Sequence, residues 1–586
     1  MNTTERRRRR NISACDLCRS RRIKCDGSRP RCSTCSQRNA ACVYPEVVEA
    51  PKSRLEIEMS TIRHRLDSIM KLLFSENAHR SFLADMAPVT VPISSWTREQ
   101  DGRTDMLPEE GLKSSSTPFM VIQNPAVMDL LGLKQDLAQQ MVDAERAIVP
   151  MFSSSSIEEG DLHFSKLGPN SALDAFFDKI YIWYPILGFK LREDLLNVQI
   201  SPTVASERCL YLIVVAIGSL AQYDSLQEAL RQRPDALWME KALGLLPTVL
   251  LESSVKALQC LIFLSIYYLC LVKPCQAHDY ILIASIRAQD LLKRGNLDAE
   301  TQELVRRAFW ANFLIESELS IQLDLASSGL LVHESEIPLP SWSQIGDEGT
   351  SSPSDSTEVS PAPSSSTPEF PSRHFTYLLA EISMRRMLQR CTISTRKLPC
   401  GKRIFAPAIA AELELQLEQW HSYLPEFLSF GLDYVADCTS TPQLLFLQTQ
   451  YHAYRATISW PAVYQVIEEG QLDDMLRLGC LGFYRSYSLF ILSAASCIPQ
   501  CPPNTWTLYA SVFIITMAAL RGTESLSLSS FISLEVLKSF DIACQLLEQT
   551  GELGPSLQMM QGILTEALAN MWRNWHALTR RMLEQQ

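Results

Sequence analysis

Six cysteines near the N-terminus, Cys15, Cys18, Cys25, Cys32, Cys35 and Cys42, constrain this chain more than any other feature. They read C-x2-C-x6-C twice, the second trio displaced from the first by 17 positions. Thiolates in a C-x2-C pair can share one metal ion, and zinc is the usual guest. Valence then sets the metal count. Structural zinc takes four ligands, so a single ion would leave two of the six sulfurs idle. Two ions need eight ligand positions, which six sulfurs fill only if two of them bridge. The repeat makes the bridging pair the same member of each trio. The expected product is one compact cluster of two zincs and six thiolates, with a formal charge of about −2 that cationic surroundings favour. Arg19, Arg21, Arg22, Lys24, Arg29, Arg31 and Arg38 lie between the cysteines. A disulfide framework fits less well, because such frameworks belong to secreted chains. The N-terminus opens on the charged run Arg6 to Arg10, with no apolar stretch behind it. The remaining eleven cysteines are scattered through apolar segments, the pattern of buried free thiols in a reducing compartment.

The stretch from Cys15 to Cys35, CDLCRSRRIKCDGSRPRCSTC, resembles the binuclear zinc cluster of fungal transcription factors. The resemblance spans the whole motif. It implies that Cys15 and Cys32 bridge the two zincs, that a short helix follows each C-x2-C, and that the first helix points its end into the DNA major groove. It also implies that the basic residue three before the third cysteine contacts the bases of a CGG-like triplet. That residue is Arg22, where the family more often has Lys. Arg can still bridge guanine O6 and N7 bidentately. Arg19, Arg21, Arg22 and Lys24 are the candidate DNA-binding residues. Pro30 matches the family's loop proline, often cis.

Charge points the same way. Residues 1–44 carry twelve Lys or Arg against three acids, a net of +9, whereas the whole chain is −11, leaving −20 for the rest. A basic head on an acidic body calls for an anionic partner for the head alone. Phosphate contacts supply affinity there and base-edge contacts supply specificity. The run Arg6 to Arg10, in a basic disordered arm over 1–14, suits a nuclear import signal or a phosphate-binding arm.

A linker at 43–54 with Pro45 and Pro51 follows the cluster at 15–42. Beyond it, Leu55, Met59, Ile62, Leu66, Ile69 and Leu73 alternate in steps of four and three. That is a heptad seam, and it predicts a short coiled coil over 55–75 with Glu58 and Arg63 placed to pair across a parallel dimer. The family resemblance implies homodimerisation through 55–73, with the linker setting the spacing of two triplets.

Residues 76–165 read as a mostly disordered linker with one helix near 134–147, given the Ser runs and Pro88, Pro92 and Pro108. From 166 to 586 the chain is apolar and helix-like, and predicts a large all-α domain. The charge-free stretch 257–272 is too short to span a bilayer. The stretch 486–520 is broken by Pro499, Pro502 and Pro503. Both read as buried core helices, so no membrane is expected. Four stretches here resemble the fungal-specific transcription factor domain, or middle homology region: Phe176 to Pro185, Ser253 to Cys260 running on to Ala284, Arg306 to Phe313, and Leu323 to Gly329 with Ile337 to Pro340. That resemblance implies a regulatory domain. A Ser/Pro/Thr-rich segment at about 341–372 cannot bury enough to offset its ordering entropy and predicts a disordered loop.

No motif supports an enzyme. GxSxG, HExxH and GxxxxGK are absent, and Asp473-Asp474 has Arg477 where a third acid would stand. The acidic pair reads as a helix start. His278, His333, His452 and His576 are isolated. Cys497 and Cys501 read as a loop beside the core. The expectation is therefore a nuclear, sequence-specific regulator of RNA polymerase II genes, an activator, bound to double-stranded DNA with two Zn2+. The resemblance brings coactivators or transcription machinery as partners, allows a small-molecule effector, and points to a metabolic or secondary-metabolite gene set. The alternative is a zinc-headed scaffold or repressor acting through its helical body.

Overall fold

The computed structural model describes residues 15–43, 125–147, 168–188, 195, 204–294, 297–323, 325–341, 369–390, 395–397, 403–433, 440–550 and 553–584. Two units separate, a head within Met1–Leu107 and a body within Pro108–Gln586. The expected arm at 1–14, the seam at 55–73 and most of the 341–372 segment lie outside the described residues.

In the head, closely spaced cysteines leave room only for single turns. Helices α1 (Asp16–Ser20) and α2 (Ser33–Gln37) are five residues each. Each starts directly after the first cysteine of its C-x2-C pair, so the second cysteine sits inside the helix. The expectation had the helix following the pair. Cys32 explains the earlier start: its backbone is extended and its sulfur accepts the Cys35 N–H at 3.4 Å, which makes it the N-cap.

The body starts earlier than its composition implied. Helix α3 (Pro125–Leu130) occupies a stretch read as linker, while α4 (Leu137–Arg146) lies where one helix was expected near 134–147; both bury apolar side chains in the main core, among them Met128, Leu137 and Met141. Neither helix has an apolar face that is self-sufficient; it pays off only under the body's own helices. The end of α4 carries Glu145, fully buried, whose carboxylate accepts the Ser556 N–H at 3.1 Å and its hydroxyl at 2.5 Å. Lys273 Nζ lies 3.9 Å from the same carboxylate.

A first group of helices follows: α5 (Pro169–Lys179), α6 (Ala205–Ala221), α7 (Leu226–Gln232), α8 (Ala236–Leu251), α9 (Val255–Cys270), α10 (Pro274–Lys293) and α11 (Ala299–Gln322). The charge-free stretch is α9, buried on every side from Ala257 to Tyr267. Gly218 lets α5 and α6 approach closely, since a Cβ there would stand 1.9 Å from the Ala172 carbonyl oxygen. The family-like stretches act as braces. Trp310 Nε1 donates to the Pro338 carbonyl at 2.8 Å. Arg307 Nη2 donates to the Ser341 carbonyl at 3.0 Å. Buried Glu316 accepts the Ser328 N–H and hydroxyl, both at 2.7 Å.

The second group comprises α12 (Glu369–Arg390), α13 (Pro407–Ser422), α14 (Pro442–Glu469), α15 (Asp474–Cys497), α16 (Thr505–Gly522), α17 (Leu534–Glu548) and α18 (Pro555–Glu584). A two-stranded antiparallel ribbon, β1 (Thr395–Lys397) with β2 (Arg403–Phe405), interrupts the otherwise helical body and pairs Thr395 with Phe405. The long hairpin α14–α15 turns at Gly470, in the left-handed region at φ 69°. Pro499, Pro502 and Pro503 do break the second charge-free stretch, which resolves into α15, two short 3-10 turns and α16.

Caps mark the helix starts. Ser225, Ser254, Asp298, Thr441, Asp473 and Ser533 each accept an N–H three residues on, which contributes about 1 kcal/mol per cap. Asp473 is thus a helix start, as its sequence context implied. No described helix is long and apolar enough to cross a membrane.

Candidate metal centre and nucleic-acid interface

The described residues of the head hold no hydrophobic core in the usual sense. Among them the fully enclosed side chains are Cys15, Cys18, Cys32 and Cys35. Their sulfurs converge: Cys15 lies 3.7 Å from Cys32 and 3.6 Å from Cys35, and Cys18 lies 3.7 Å from Cys32 and 4.0 Å from Cys35. Tetrahedral zinc with sulfur at about 2.3 Å sets a sulfur–sulfur edge of about 3.8 Å, so the donor set fits thiolate-bound zinc. These separations are well beyond a disulfide bond of about 2 Å, and none of the six cysteines is in a disulfide.

The outer cysteines join at the two ends. Cys25 lies with Cys32 and Asp26, their ligand atoms within 4.8 Å of one another. Cys42 accepts the Cys32 N–H at 3.3 Å and its sulfur interacts with those of Cys15, Cys32 and Cys35. Burial, together with Cys15 and Cys32, pushes the Cys18 thiol up to about 12. A sulfur cluster this crowded is stable as thiolates only around cations, and metal binding must release its protons.

The 17-residue repeat is also a repeat of backbone geometry. Arg22 (φ 51°) and Asn39 (φ 44°) are both left-handed and stand 17 apart. Ile23 N–H donates to the Cys18 carbonyl, and Ala40 N–H donates to the Cys35 carbonyl, each at 3.0 Å and again offset by 17. The helix starts correspond as well. Asp16 N–H donates to the Val43 carbonyl at 2.9 Å. In the other half Ser33 N–H donates to the Asp26 carboxylate at 3.1 Å. Asp26 also accepts from the Ser28 hydroxyl at 2.8 Å and from the Ser33 hydroxyl. These bonds, led by Ser33, hold its carboxyl down at about 2. Sequence reading missed Asp26 as a brace; the signal was its offset of 17 from Val43. The Arg29–Pro30 peptide is cis, in line with the expectation for Pro30.

The two halves differ at the left-handed position. Asn adopts that region readily, while Arg does so rarely. Arg21, Arg22 and Lys24 are exposed, and their side chains make no hydrogen bond or ion pair to another described residue. Arg31 differs, for its Nη2 donates to the Ala40 carbonyl at 2.9 Å and so braces the second half. Arg21 and Arg22 therefore form the turn that ends α1, with Lys24 just past it, unpaired and directed by the backbone that wraps the sulfurs. The described backbone puts Arg19 within α1.

A sulfur-organised basic head followed by a large helical body defines a class: regulators that join a metal-folded DNA-binding module to a helical effector domain. Comparison with known proteins makes it particular. Residues 13–50 match the fungal Zn(2)-Cys(6) binuclear cluster domain, and residues 173–422 match the fungal specific transcription factor domain. The chain is 33% identical to "Putative transcription factor ecdB" of Aspergillus rugulosus over 586 residues, 96% of this chain and 98% of that one. It is 24% identical to the quinic acid utilization activator of Emericella nidulans over 574 residues, 80% of this chain and 66% of the relative. It is 23% identical to the citrinin biosynthesis transcriptional activator mrl3 of Monascus ruber over 232 residues, 39% of this chain and 42% of the relative. No solved structure matches the chain. The chain belongs to the fungal binuclear zinc-cluster transcription factors. Its cofactor is two zinc ions, its work is transcription regulation, and its relatives are transcription factors, not enzymes.

Proposed function

We propose that this chain is a nuclear activator of RNA polymerase II genes that reads CGG-like triplets in the major groove. The observation that carries the reading is the exposed, unpaired trio Arg21, Arg22 and Lys24 on the turn closing α1, beside the sulfur cluster. Arg22 is the base-reading residue, in a left-handed conformation that packing alone gives no reason to assign to Arg. Its bidentate fork suits guanine. Arg19, Arg21 and Lys24 neutralise phosphates. All six cysteines ligate the two zincs, and Cys15 and Cys32 bridge them. The geometry supports this assignment. The Cys18–Cys35 pair, which shares no metal in that scheme, has the longest of the four measured sulfur separations.

The division of labour we propose runs from a basic arm at 1–14 through the cluster at 15–42, the linker at 43–54 and the seam at 55–75 to the regulatory helices. The seam makes a homodimer whose two clusters take two triplets, and the body recruits coactivators. The relatives named for quinic acid utilization and citrinin biosynthesis support a metabolic or secondary-metabolite gene set for this chain too. Selection of bound sites from random duplex DNA by the zinc-loaded protein tests the reading. Paired CGG-like triplets at one spacing are the expected result. Enrichment of no motif overturns it.

A further inference from the structure

The body holds a cavity of about 780 Å3. One wall comes from the part that matches the family domain, with Ile180, Ile217 and Leu220; the other comes from helices beyond the match, with Tyr509 on α16 and Leu546 on α17. The volume lies within the roughly 300–1,000 Å3 typical of small-molecule sites.

Its lining sorts by charge. The charged residues that line it, Asp178, Lys179 and Asp224, are all exposed, so they stand at the mouth, where Lys179 Nζ and Asp224 Oδ1 approach to 3.6 Å. The buried lining is apolar or uncharged. Within it Tyr509 is only 5% exposed, and its hydroxyl has no hydrogen-bond partner among the described residues. That hydroxyl is not among the fully enclosed polar atoms, so it opens on the cavity, where a guest can reach it. A charged guest would lose its hydration with no counter-charge inside, whereas a neutral one would not.

We propose that this cavity is a binding site for a neutral, largely apolar small molecule that bears a hydrogen-bonding group for the Tyr509 hydroxyl. Because the two walls belong to different halves of the body, an occupant ties them together. The site gives the regulatory domain an input of its own, and this inference stands whether or not the head reads CGG.

The test is fluorescence titration of the full-length, zinc-loaded protein with N-phenyl-1-naphthylamine, a neutral probe. 8-Anilinonaphthalene-1-sulfonate, a similar ring system carrying a charge, serves as comparison. The expected result is one saturable site for the neutral probe and at least about tenfold weaker binding of the sulfonate. Ala495→Phe, which fills the cavity from α15, abolishes the site. Tyr509→Phe keeps the ring and weakens binding about two- to tenfold, the worth of one hydrogen bond. Should Ala495→Phe fail to fold, the Tyr509 variant, checked for an unchanged melting curve, decides alone. Absence of a saturable site, equal affinity for the sulfonate, or wild-type binding by both variants overturns the proposal. Binding that appears only after excision of 342–368 also overturns it, by making the chain's own segment the occupant.

Discussion

The head and the body are both helical, yet almost nothing else about their stability is shared. In the head four cysteine sulfurs take the place of a core, and two five-residue helices have no apolar layer between them. In the body well over a hundred residues share one apolar cluster, with aromatic side chains such as Trp183, Trp310 and Trp506 fully enclosed. A domain the size of the head cannot bury enough surface to fold by the hydrophobic effect alone, and metal ligation supplies the difference. The body needs no such help. One chain thus carries two thermodynamic regimes, one governed by metal activity and the other by packing.

The most severe way to break the contrast is to remove a sulfur. Cys18→Ser, or chelation of zinc, is expected to unfold the head and abolish site-specific DNA binding, since structural zinc is worth about 10–16 kcal/mol. The melting curve of the body should be unmoved, and a common shift of both would mean the regimes are not separate. The converse test is Gly218→Ala, whose Cβ would collide with the Ala172 carbonyl. It should cost about 3 kcal/mol of body stability in chemical denaturation and leave zinc affinity intact. Within the head, Arg22→Ala should leave fold and zinc content unchanged while reducing discrimination at one base pair by about 2 kcal/mol. If competition binding shows only a shallower salt dependence, Arg22 touches phosphate and not a base.

The smallest expected effect concerns a charge that the packed regime tolerates. Burial pushes the carboxyl of Glu381 up to about 7, against the pull of Arg385. Glu381 Oε1 also accepts from Gln450 Nε2 at 2.9 Å, and Arg385 lies 3.3 Å from Glu318 and 3.7 Å from Glu381. Between about 4.5 and 7 the folded body keeps a proton that the unfolded chain has lost, so stability falls as pH rises through that window. Glu381→Gln should flatten the slope by on the order of 1 kcal/mol in melts between pH 5 and 7.5. A slope unchanged by the substitution would place the titration elsewhere.

How far each regime could be read from sequence follows from its physics. Ligand spacing is one-dimensional, so the cysteine repeat, the zinc count and the basic turn were legible, as was Pro30. What was not legible is the left-handed backbone at Arg22, because a helix-friendly residue hides it, and the brace at Asp26. In the body, the charge-free runs and the acidic helix start at Asp473 located helices. Helix α4 lies where one helix was expected, near 134–147, but α3 escaped, because its apolar residues gain from burial only under partners far along the chain. The cavity at Tyr509 was illegible for the same reason, since its walls meet only in three dimensions.

The tie between Glu145 and Ser556 has a practical side. It fastens the first helices of the body to the last across 411 positions of sequence, like a buckle on a belt. A fragment cut at residue 166, where the composition suggests a natural start, would discard one half of the buckle and leave Ser556 and Lys273 facing an empty slot. Reporter fusions and expression fragments of the regulatory body should therefore begin ahead of Pro125. Those that do not would measure an opened belt.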